Sequence, residues 1–153
     1  MQKDIVVLGL GNPLMADEGI GVEVVSLLSM RAGEFPSVEF IDAGTAGFSL
    51  LHKLSGRRKA IIIDCCVMGA EPGAIVMFSP DDVASVKKLS HFSLHEADIL
   101  QVINIARRLD ECPGEILIFG IEPASIILQK SLSPVLAERL SSYVELIAAQ
   151  LRQ

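Results

Sequence analysis

The chain of 153 residues has no apolar run near the ~20 residues that a helix needs to cross a bilayer. Half of its residues are hydrophobic and its mean hydropathy is +0.48, but they fall in short runs broken by glycine, proline and charge. Positive charge is also short: 13 Lys and Arg face 19 Asp and Glu, a formal net charge of −6. Nucleic acid and anionic membranes both reward basic patches, so neither is expected as a partner. The one dense basic cluster, GRRK at Gly56 to Lys59, reads as a solvated turn before a strand. The three cysteines, Cys65, Cys66 and Cys112, are odd in number and form no C-x-x-C pair, which fits a reducing compartment. The opening MQKDIVVLGLGNP has neither a basic n-region nor a small-residue cleavage site. No signal peptide is read there, and a cytoplasmic location is expected.

What is present reads as one domain over residues 1–153, long enough to bury a sizeable core. DIVVLGLG is a buried first strand ended by glycine, and apolar residues at Ile20, Val24, Val25 and Leu28 carry a helix from Asp17 to about Met30. VEFIDAG alternates as a second strand, and Phe48 to Leu54 suggests a short helix. KAIIIDCCV is apolar on both faces, the pattern of a central strand in a parallel sheet. AIVMFSP is a fourth strand, Leu94 to Leu109 a long helix, EILIFGIEP a fifth strand and Pro134 to Leu151 a final helix. Strands alternating with helices predict an α/β three-layer fold.

In open α/β sheets the ligand site lies beyond the carboxyl ends of the parallel strands. The residues that follow those strands are Asn12, Asp17 and Glu18, then Asp42 with AGTAG, then Asp64, Cys65 and Cys66, then Glu122 and Pro123. Acids collect there. The glycine turn GLGNPLMADEGIGV is not a dinucleotide fingerprint, because Leu14 replaces the third glycine and Pro13 removes a backbone donor. No G-K-[ST] occurs, so a P-loop is excluded as well. Asp17 is expected to cap the helix, while Glu18 reads either as a first-turn carboxylate or as a ligand. A buried Asp64 needs pairing, hydrogen bonds or metal. His52 reads as a surface residue, whereas His91 and His95 enter the long helix in LSHFSLHEADIL. Two carboxylates and one imidazole make an oxygen and nitrogen site suited to Zn²⁺ or Ni²⁺. Cys65 and Cys66 read as space-filling, with a Cys–His nucleophile as the sharper alternative.

These segments carry a resemblance. LGLGNPLMADEGIGVEVV, IDAGTAGFSLL, IIIDCCV and FGIEP, in this order over nearly the whole chain, resemble the motifs of the hydrogenase maturation proteases. That family trims the C-terminus of [NiFe]-hydrogenase large subunits. The resemblance implies a phosphorylase/hydrolase-like three-layer sandwich, with a twisted five-stranded, mostly parallel sheet, one antiparallel strand and helices on both faces. It also implies a metal-binding and catalytic triad, which carries over to Glu18, Asp64 and His95, with His91 as the alternative histidine. The metal is then nickel already carried by the large-subunit precursor, serving as the recognition signal, and no tightly bound cofactor of the enzyme's own is expected. Asn12 is expected to brace the glycine loop, and Asp42 with GTAG to shape the substrate cleft.

The reading is thus a monomeric endopeptidase that hydrolyses one bond beside the precursor's nickel. The chemistry is either metal polarisation or a carboxylate-activated water of the aspartyl type. Two rivals stand: a cysteine peptidase or amidase using Cys65 or Cys66 with His95, and a non-catalytic nickel-binding maturation module.

Overall fold

The run KAIIIDC forms strand β3 (Lys59–Cys65), and all seven of its residues are buried. A strand with neighbours on both edges and helices on both faces must be apolar throughout, which is why this run shows no alternation. The computed structural model describes residues 2–45, 47–82 and 94–153, with side chains in the last span from residue 99 onward. Strands β1 (Ile5–Leu10), β2 (Val38–Gly44), β4 (Ile75–Phe78) and β5 (Glu115–Ile121) complete a five-stranded sheet of order β2-β1-β3-β5-β4. All neighbouring pairs are parallel except β4, which runs antiparallel to β5 at one edge. The expected three-layer α/β fold with one antiparallel strand is observed.

Side chains alternate along each strand and so divide the core in two. Val7, Ile61, Ile63 and Cys65 meet helix α1 (Ile20–Ser29) and helix α4 (Pro134–Leu151). Leu8, Leu10, Ile62 and Cys66 meet helix α2 (Leu50–Leu54) and helix α3 (Leu94–Arg108). Each fully buried Leu or Ile in these layers contributes about 1.5–3 kcal/mol. No helix among the described residues is long and apolar enough to cross a membrane.

Helix α4 starts where Pro134 presets the first turn and the Ser133 hydroxyl accepts the Leu136 N–H at 3.5 Å. Its buried Tyr143 donates its hydroxyl to the Gly73 carbonyl at 2.6 Å, and burial pushes the phenol's pKa up. Tyr143→Phe is expected to lower stability by about 1 kcal/mol with unchanged fold, measured by urea unfolding.

The basic cluster differs from its expectation. Arg57 and Lys59 are buried, at 8% and 7% exposure. The Arg57 guanidinium donates to the Lys53 and Lys3 carbonyls at 3.1 and 2.7 Å and pairs with Glu39 at 2.6 Å. Lys59 pairs with Glu115 at 3.1 Å. Two of these cations therefore bind the start of the sheet together rather than facing water.

Candidate functional site

Strand β1 ends at Leu10, and the chain must turn sharply to enter α1. Glycines make that turn possible. Gly11 takes φ +128°, and a Cβ there would collide with the Glu18 carbonyl oxygen. At Gly19 a Cβ would lie 2.6 Å from the Pro13 Cα, and at Gly21 it would collide with the carbonyls of Ile63 and Leu10. The first turn of α1 thus packs against the residue before Asp64, which brings Glu18 and Asp64 to the same sheet edge. Asn12 braces the turn, its side-chain oxygen accepting the Leu14 N–H at 3.0 Å. Gly11→Ala is expected to cost about 2–4 kcal/mol, because strained backbone and a displaced Glu18 carbonyl come together. Thermal unfolding of the variant measures it.

The helix does not begin at Asp17. Residues Ala16–Gly19 form a 3-10 turn and α1 starts at Ile20 without a side-chain cap. Asp17 is fully buried and reaches across the molecule instead. Its Oδ2 accepts the N–H groups of Ala124 and Ser125 at 2.9 and 3.0 Å, and its Oδ1 accepts that of Ser133 at 2.7 Å. The expected cap is therefore an anchor for the loop between β5 and α4. Glu122, at the end of β5, does the same for the loop after β3, with Oε1 accepting from Met68 and Ala70 at 2.8 and 3.0 Å. Both acids work as loop anchors, a role that no local spacing announces.

Glu18 is half-buried on the 3-10 turn. Asp64 is fully buried on β3 beside Gly120, on the face that α2 and α3 cover. Helix α3 leads into β5 and packs on that face through Ile99, Val102 and Ile103. Its first turn, with the backbone of His95, therefore lies toward the carboxyl ends of the strands. The His95 side chain and the whole of His91 lie outside the described residues. Among the described residues no three His, Cys, Asp or Glu side chains group as a metal site. Cys65 and Cys66 are 3% and 0% exposed and belong to opposite core layers, as adjacent strand residues must. Buried thiols in apolar layers are inert, so their space-filling role is favoured over nucleophilic attack. Asp42 is exposed, and its Oδ1 accepts the Gly44 N–H at 3.0 Å. It lines a groove of about 400 Å³ with Pro13, Val22, Val25 and Phe40.

A family model described as hydrogenase maturation protease matches residues 22–150. Hydrogenase 2 maturation protease of Escherichia coli (strain K12) is 31% identical over 149 residues, covering 97% of this chain and 91% of that protein. The chain belongs to the hydrogenase maturation protease family. The hydrogenase expression/formation protein HupD of Thiocapsa roseopersicina is 30% identical over 151 residues, 98% of this chain and 68% of HupD. The hydrogenase maturating endopeptidase HybD from E. coli matches in structure with a TM-score of 0.85 at 30% identity, over 97% of this chain and 91% of that one. The [NiFe] hydrogenase maturation protease HybD from Thermococcus kodakarensis matches at 0.78 and 26% identity, over 97% of this chain and 99% of that one. As a hydrogenase maturation protease the chain is a hydrolase of the endopeptidase type, and the fold neighbours share its sheet and helices.

Proposed function

We propose that this hydrogenase maturation protease acts as a monomeric cytoplasmic endopeptidase on a nickel-loaded large-subunit precursor, removing its C-terminal extension. Glu18, Asp64 and His95 hold the substrate's nickel and so fix the scissile bond beside it. The observation that carries the reading is the arrival of Glu18 and Asp64 at one strand-end edge, on the segments that resemble the family's motifs. Two carboxylates and an imidazole bind a borderline cation weakly without thiolate help. The precursor supplies its own thiolates, so the nickel is held jointly. Hydrolysis adds a water to the scissile carbonyl, activated either by polarisation at the substrate's nickel or by a carboxylate that takes the water's proton, and a proton then passes to the leaving amine.

The deciding experiment incubates the purified protein with candidate precursors, with and without nickel, and reads the precursor C-terminus by mass spectrometry. Trimming only of the nickel-loaded form supports the reading; equal trimming of both, or of neither, rejects it. The histidines separate in the same assay. His95→Ala is expected to abolish nickel-dependent trimming while His91→Ala retains most of it, and the reverse result moves the ligand to His91. Protein purified without added metal is expected to hold no stoichiometric nickel by elemental analysis. Metal that survives dialysis against chelator would instead mark a resident catalytic ion.

A further inference from the structure

Three large apolar residues in succession, Ile126, Ile127 and Leu128, face solvent between β5 and α4, with 41%, 53% and 83% of their surface exposed. On a free surface such a run forgoes the gain of burial and is expected only where it serves a function. The loop is not slack. Asp17 holds its start and its end through Ala124, Ser125 and Ser133. Near its middle, Gln129 N–H donates to the Leu14 carbonyl at 2.9 Å and the Gln129 carbonyl accepts from Ala16 N–H at 2.7 Å. These bonds make a parallel bridge between Met15 and Gln129. Its register sets Leu128 beside Leu14, which is itself 49% exposed. Apolar side chains on a tethered mount, left open to water, mark an interaction surface rather than a frayed loop.

The mount also bears on the candidate site. Glu18 N–H donates to the Met15 carbonyl at 3.1 Å, so the bridge and Glu18 share one short segment. We propose that Leu14 and Ile126 to Leu128 form a ridge on which the folded large-subunit precursor docks, an apolar patch of the precursor covering them while its C-terminal segment reaches Glu18. The inference rests on the processing function proposed above. A second copy of this chain is the weaker occupant. It would cover the strand-end edge that a protein substrate must reach, and it would bring together two chains of net charge −6.

The test compares Ile127→Glu and Leu128→Glu with Met30→Glu, a control at an 80% exposed residue just past the end of α1. Thermal unfolding checks that all three fold, as surface substitutions away from packed or bonded groups change stability little. On nickel-loaded [NiFe]-hydrogenase large-subunit precursor, the two ridge variants are expected to raise KM at least about tenfold, equivalent to 1.4 kcal/mol, with kcat within about twofold. Met30→Glu leaves both constants unchanged. Binding of the same precursor to immobilised protein is expected to weaken by the same factor. Wild-type KM and binding in Leu128→Glu overturn the ridge, as does a fall in kcat alone. So does light scattering that finds a wild-type dimer parted by Leu128→Glu with KM unchanged. Failure of the wild-type protein to trim the precursor overturns the processing function instead, while the binding arm still decides the ridge.

Discussion

Glu18→Gln and Asp64→Asn are expected to keep the fold and to trim nickel-loaded precursor at least about a hundredfold more slowly than wild type. Each substitution preserves shape and removes charge. At Glu18 the tight packing is made by the backbone carbonyl against Gly11, which glutamine leaves in place. At Asp64 the strand is held by β1 and β5 on its two edges, and asparagine keeps the same side-chain outline. The lost charge therefore registers in the chemistry rather than in the core. Rates come from mass spectrometry of the precursor C-terminus, and melting curves taken in parallel test the fold. Wild-type trimming by either variant would remove that residue from the site.

Asp17→Asn is expected to destabilise the protein by about 2–4 kcal/mol, in contrast to the conservative variant expected to be neutral at its neighbour Glu18. The carboxylate accepts three backbone N–H groups with its two oxygens. An amide has one oxygen. Whichever way it turns, its NH₂ faces at least one of these N–H donors, and an orphaned donor adds to the loss of charge-assisted bonds. Were Asp17 a helix cap, asparagine would serve about as well and the change would be small. Urea unfolding separates the two roles, and a loss under about 0.5 kcal/mol would return Asp17 to the cap. The same variant is expected to lose trimming activity, since the 3-10 turn that carries Glu18 is bound to the loop through Asp17.

The sheet was legible because its strands follow local rules. The run AIII declares a strand covered on both faces, and the glycine turn after β1 declares a close approach. The nearness of Glu18 and Asp64 to one sheet edge was legible because one follows β1 and the other lies in the last residues of the neighbouring β3. The anchors were not. Asp17 meets groups more than 100 positions away, and a cap and an anchor look the same in ADEG. Arg57 read as solvent-facing because its partner Glu39 lies 18 positions back on another strand. In each case a local preference was plausible and a distant contact prevailed. The exposure of Ile126 to Leu128 was not legible either, since nothing local in ASIILQK tells whether its apolar side chains are covered.

The strand order β2-β1-β3-β5-β4 has a consequence for how the protein is made. Both carboxylates are joined to the chain early, by residue 64, whereas β5 enters between β3 and β4 only after residue 121 exists. The loop that steadies the 3-10 turn follows later still, and its last tie is Ser133. Pairings between distant parts of a chain form slowly. A nascent chain therefore carries both acids before the loop that ties down their turn exists, and a product cut short before residue 133 is expected to trim no precursor.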